Sequence, residues 1–134
     1  MKDFFSKEQI IIARGVLINS GRVLVLRGAK NDLALEYYDL PGAYVAFGKD
    51  PAQALVEAFF QQTQIPVCVD RPFHTISRTA FDRGKQIIEI VYRVTEERAV
   101  TQEQSASLLW IPVGETGYFF SSRIMDAIRS SLSE

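Results

Sequence analysis

Ala54, Ala58, Gln61 and Gln62 recur at three- and four-residue spacing, so on a helix they form one stripe able to line a shallow site. None of the four is charged. The stripe therefore offers amide hydrogen bonding and neither an acid, a base nor an anionic oxygen. Lys49 precedes it, and with Arg14 and Arg27, which lie in or at the end of β-rich runs, it suits an anionic ligand. Tyr38 or Phe47 would supply a stacking surface, although aromatics of this kind more often belong to a core. Arg14 also reads as a snorkelling or ion-paired side chain more readily than as a ligand contact; for Arg27 the two readings balance.

Other reactive types are sparse. Cys68 is the single cysteine, so no internal disulfide exists, and its Pro-Val-Cys-Val setting reads as a buried strand rather than a nucleophile's surroundings. His74 is the only histidine; with no second histidine or nearby cysteine, it reads as structural or exposed.

The stripe needs a helix, and the sequence provides one. Asp50 suits the N-cap, Pro51 the first helical position, and Gln53 the capping-box partner. Pro66 ends the segment, placing the last turn near Thr63 or Gln64. Leu55 and Phe59 lie four apart and form the buried face.

Gln9 to Ile18 and Arg22 to Arg27 are β-rich runs joined by Asn19-Ser20-Gly21, a hairpin signal. The second run is apolar on both faces and reads as central. After the polar stretch Gly28 to Glu36, Leu40-Pro41-Gly42 makes a turn and Ala43 to Phe47 a short strand, with Gly48 easing the approach to the helix. Pro66 to Asp70 reads as another short strand. Phe73 to Phe81 and Gln86 to Thr95 flank Asp82-Arg83-Gly84 and form a long hairpin. Glu96 to Ser107 is a polar, exposed connection, Leu108 to Val113 a strand, and a last helix capped by Ser121 or Ser122 buries Ile124, Ala127, Ile128 and Leu132.

A chain of 134 residues, 47% hydrophobic and 23% charged, is expected to form one globular domain, residues 1–134, with a substantial core. Its net charge of −1 gives no electrostatic reason to expect nucleic acid or an anionic membrane surface. The apolar run from Ile10 is interrupted by Arg14 and Gly15, and reads as neither signal peptide nor membrane span, so a cytoplasmic protein is expected. Adjacent Phe4 and Phe5 pack either on the domain or on a second subunit of a homodimer.

The stretch Tyr38 to Ile65 resembles the signature of the Nudix hydrolases: Gly, five residues, Glu, seven residues, Arg-Glu, an apolar residue, any residue, Glu-Glu, any residue, Gly, apolar. Leu40-Pro41-Gly42 matches the turn that usually precedes it. Phe59 and Ile65 take the apolar positions, without a gap. The polar positions depart. Ala43 stands for the first Gly, Lys49 for the first Glu, Glu57-Ala58 for Arg-Glu, Gln61-Gln62 for Glu-Glu, and Gln64 for the last Gly. The resemblance implies an α/β fold, an α/β/α sandwich with a central mixed β-sheet. It also implies an ancestry in Mg²⁺- or Mn²⁺-dependent cleavage of pyrophosphates linked to nucleosides.

Those cations want anionic oxygen, and Ala58, Gln61 and Gln62 supply none. No metal cofactor and no metal-dependent catalysis are therefore expected. Glu103 lies in a loop where the family often carries an extra acid, although a solvated Glu is the simpler reading. Lys49 and Glu57 exchange the signs of the family's Glu and Arg, which suggests either a retained ion pair or two independent exposed charges. Three functions stay open: a non-catalytic binder of a nucleotide or related phosphate ligand, a hydrolase with weak or altered activity, and a structural or dimerisation module.

Overall fold

The computed structural model describes residues 7–27, 38–114 and 128–129. Phe4, Phe5, Ser121, Ser122 and most of the expected last helix lie outside them.

The expected mixed α/β architecture is present. Strand β1 (Glu8–Val16) pairs parallel with β7 (Lys85–Glu96) and antiparallel with β5 (Gly42–Tyr44). Strand β6 (Val67–Ala80) adds to the far side of β7, giving the mixed order β5-β1-β7-β6. A second sheet is built on β3 (Arg22–Arg27), which pairs with β2 (Ile18–Asn19), β4 (Tyr38–Asp39) and β8 (Leu109–Pro112). As its two apolar faces require, β3 is central, with Val23, Leu24 and Val25 buried.

The first β-rich run does not form one strand of a hairpin. It divides at Leu17: β1 joins the large sheet, and only β2 turns back on β3. Ser20 and Gly21 both have positive φ, the backbone of a tight two-residue turn, so the turn chemistry acts on β2 and β3 alone. The strand expected at Pro66 to Asp70 continues through Pro72 into β6, with register irregularities between Val69 and Arg71 and between Pro72 and His74. Proline is tolerated because β6 is an edge strand whose outer N–H groups need no ladder partner. At the other end, Gly84 in the left-handed region closes the turn after Phe81–Arg83. Within the polar connection lies a short helix, α2 (Gln102–Ala106), closed by a full capping box between Thr101 and Gln104. Thr-x-x-Gln is visible in the sequence as that motif.

Two clusters form the core. On one face of the large sheet, helix α1 (Pro51–Thr63) places Leu55 and Phe59 against Ala13, Leu17, Tyr92 and Val94. The ring of Phe59 lies against the backbone of Gly15, where an added Cβ would stand 3.1 Å from it. Val16 and Val91 alternate to the opposite face. There they pack with Val23, Val25, Leu40, Ile111 and Ile128, the one residue of the last helix's expected apolar stripe that is described. Cys68 is exposed, contrary to expectation: between buried Val67 and half-buried Val69, strand alternation turns it outward. Among the described residues no helix is long and apolar enough to cross a membrane.

Candidate functional site

Helix α1 has the expected bounds. Asp50 accepts a hydrogen bond from the Gln53 backbone N–H at 3.0 Å, Pro51 opens the helix, and Gln64 ends it in the left-handed region. The Gln53 side chain does not complete a capping box; its Nε2 turns along the helix to Glu57 Oε1 at 3.4 Å.

The face of α1 turned toward β5 carries a shallow depression of about 180 Å³. Ala54 and Ala58 form its floor, with Ala43, Ala46 and Tyr44 beside them and Lys49, Glu57 and Gln61 as its polar groups. Four of the expected positions, Lys49, Glu57, Ala58 and Gln61, are thus brought together. The ion pair expected between Lys49 and Glu57 is absent from the ion pairs of the described residues. Both residues are exposed, where a pair gains little against side-chain ordering. Glu57 meets Gln53 one turn back instead.

Gln62 lies to one side and is committed elsewhere. Its Nε2 donates to the Gly42 carbonyl at 2.8 Å, and its Oε1 accepts from the Gly42 N–H at 3.0 Å. The amide therefore closes a two-bond ring on the backbone N–H and C=O of one residue. Gly42 is held from the other side too: a Cβ there would collide with the Ala13 carbonyl. Gly15 N–H donates to the Pro41 carbonyl at 2.8 Å, and Arg14 Nη1 to the Leu40 carbonyl at 3.0 Å. The Leu-Pro-Gly turn is thus pinned by β1 behind and α1 in front.

Arg14 also lies 3.2 Å from Asp39 Oδ2 and 3.4 Å from Glu89 Oε1. Glu89 is wholly buried, and its Oε1 lies 3.7 Å from Arg78 Nη2 as well. The result is a chain of alternating charge, Asp39, Arg14, Glu89, Arg78. Arg27 is exposed at the end of β3, in register with half-buried Tyr38, and Glu103 is exposed in the first turn of α2. Arg14, Arg27, Tyr38 and Glu103 do not line the α1 depression. Phe47 is fully exposed beside Gly48, whose φ is 85°. His74 is half-buried on β6, its ring 6.4 Å from that of Phe73.

Three features escaped the sequence reading: Tyr44 at the depression, the Gln62–Gly42 ring, and the Glu89 network. Only the last had a signal, an acid inside the apolar run Ile87-Ile88-Glu89-Ile90-Val91. A charge in such a place is buried and needs partners.

The donor set does not fit a divalent cation. Ala58 has no ligating atom, Gln61 is neutral, both ends of the Gln62 amide are spent on Gly42, and Lys49 adds positive charge. Among the described residues no group of three or more His, Cys, Asp or Glu is placed to hold a metal ion.

No protein-family model matches the chain, and a search of curated proteins finds no match. Solved structures do match. A Nudix hydrolase from Nitrosomonas europaea superposes with TM-score 0.74 at 10% identity, covering 94% of this chain and 90% of that one. A MutT protein from Methanosarcina mazei Go1 gives 0.70 at 18%, covering 96% and 97%. The MutT protein of methicillin-resistant Staphylococcus aureus 252, described as a Nudix hydrolase, gives 0.71 at 16%, covering 96% and 98%. TM-scores of 0.70 to 0.74 and near-complete mutual coverage agree: this chain has the Nudix hydrolase fold.

Proposed function

We propose that this Nudix-fold chain binds a nucleotide or a related phosphate-bearing small molecule without hydrolysing it, and does so without a divalent cation. The observation that carries this reading is the Gln62 amide, both ends of which are bonded to Gly42 at the helix position where the family signature has a carboxylate. Lys49 supports the ligand half of the reading. It is exposed at the rim of a depression with a methyl-lined floor, and a Lys ammonium attracts phosphate as a point charge. Arg27 and Tyr38, neighbours across β3 and β4, are proposed as further contacts to the ligand, and Arg14 as a residue that positions the turn beneath it.

The experiment is a thermal-shift screen of nucleotides and nucleotide sugars, with and without Mg²⁺ or Mn²⁺. A ligand at 100 times its Kd raises stability by about 2.7 kcal/mol. The reading expects such a rise, equal with and without cation and reduced in Lys49→Gln. Metal-dependent turnover of ADP-ribose or a nucleoside triphosphate would overturn it. It would favour the second reading, a hydrolase of altered activity, which the Glu57 carboxylate in the same depression supports. Loss of that turnover in Glu103→Gln would then assign Glu103 to it. Failure of every nucleotide to shift the melting temperature would favour a structural or dimerisation module.

A further inference from the structure

We propose that the outer end of the β6–β7 hairpin is a second ligand site, one that takes a small polyanion through phosphate or carboxylate groups. Arg78 near the end of β6, Arg83 in the turn and Lys85 at the start of β7 line an open depression of about 340 Å³, with Thr79, Asp82 and Ile87. Three cations and one acid thus face one space. Like charges gathered at the end of a hydrogen-bonded hairpin repel one another, and an anion seated among them relieves that repulsion.

Arg78 is set in place from within. Arg78 lies opposite Ile87 in the hairpin, Ile76 opposite Glu89, and Ala80 opposite Lys85. Residues two apart share a sheet face, so Arg78, Lys85 and Glu89 stand on the same one. Glu89 is fully buried, and its carboxylate lies 3.7 Å from Arg78 Nη2, while the Arg78 side chain is 47% exposed. A guanidinium carries five donors in a rigid fork. Glu89 attracts that fork from the interior as an ion pair at 3.7 Å, beyond hydrogen-bond reach, and the donors remain for an external anion. Arg83 has no ion pair or hydrogen bond among the described residues, and Lys85 makes only a 4.0 Å contact with Glu8. Glu89 is thereby a positioning residue, and Arg78, Arg83 and Lys85 are the contacts. The site shares no lining residue with the α1 depression, so the two readings stand or fall separately.

The test is a titration of the full ¹⁵N-labelled chain with pyrophosphate and, separately, with citrate, at constant ionic strength, read as amide shifts by NMR. The expected result is saturable shifts across residues 78–87. Arg83→Gln, which removes no described fold contact, weakens the binding about tenfold, the loss of one charge-assisted hydrogen bond. Arg78→Gln, checked for folding by circular dichroism, does the same. A stronger response to pyrophosphate assigns phosphate, and a stronger response to citrate assigns carboxylate. Shifts that follow ionic strength alone, shifts confined to α1, or unchanged binding in Arg83→Gln would each overturn the proposal.

Discussion

Gln62 is the residue at which an amide and a carboxylate differ most in consequence. The amide can donate to the Gly42 carbonyl and accept from the same residue's N–H; a carboxylate can only accept. Gln62→Glu is expected to lose about 1–3 kcal/mol, from one lost bond and two facing oxygens. Urea unfolding at neutral pH measures that loss. Protonation restores a donor, and the penalty on the ionised form raises that carboxyl's folded-state pKa, so the penalty shrinks as pH falls toward the ordinary Glu value near about 4 and is gone below it. A variant as stable as the parent at neutral pH would show that the ring contributes nothing. Arg14 presents the opposite case, a charge whose removal strands others. Arg14→Met takes one partner from fully buried Glu89 and the guanidinium donor from the Leu40 carbonyl, and is expected to cost about 3–5 kcal/mol. The double variant Arg14→Met with Glu89→Met should recover much of this, because it leaves no buried carboxylate; chemical denaturation of both reads the difference.

At the scale of elements, α1 is held by its cap and its buried face. Asp50→Ala is expected to lower stability by about 1 kcal/mol, since one N-terminal amide loses its acceptor. Phe59→Ala is expected to cost about 3–5 kcal/mol, because the ring fills the space over Gly15 and Val94. Equilibrium denaturation of the two variants should rank them in that order. The helix bounds were legible because caps and prolines act within a few residues. The strands were legible less evenly. The β6–β7 hairpin followed from its turn, whereas the division of the first β run at Leu17 did not. Each half is β-rich, and only the choice of partner, β7 for one and β3 for the other, separates them. Continuous β6 was missed for a related reason: proline breaks a strand only when its N–H would be needed.

At the scale of the whole molecule, the Tyr92 phenol, whose pKa is displaced, gives a pH dependence. Burial, and secondarily the charge of Asp50, raises the Tyr92 phenol above its ordinary 10.0. A phenol that is harder to ionise in the folded state contributes stability fully present below pH 10, and that contribution is lost as pH rises through its folded pKa. Melting temperature should therefore fall in alkaline solution above that value, and Tyr92→Phe should flatten the fall. An identical alkaline slope in the two proteins would assign it to other groups.

The sequence by itself determined what is chemically missing. Residue types at fixed spacing show a helix stripe of methyl groups and amides where the resembling family has carboxylates, and no packing can add a charge to alanine. It likewise determined the ends of α1 and the turns, where a side chain acts on its own backbone. Tertiary structure alone decided which polar groups meet. Gln62 and Gly42 are twenty residues apart, Arg14 and Glu89 seventy-five, and their contacts exist only because the helix lies across β5 and the parallel β1–β7 pairing aligns the two strands. Contacts of that range depend on register and layer, which no local pattern encodes.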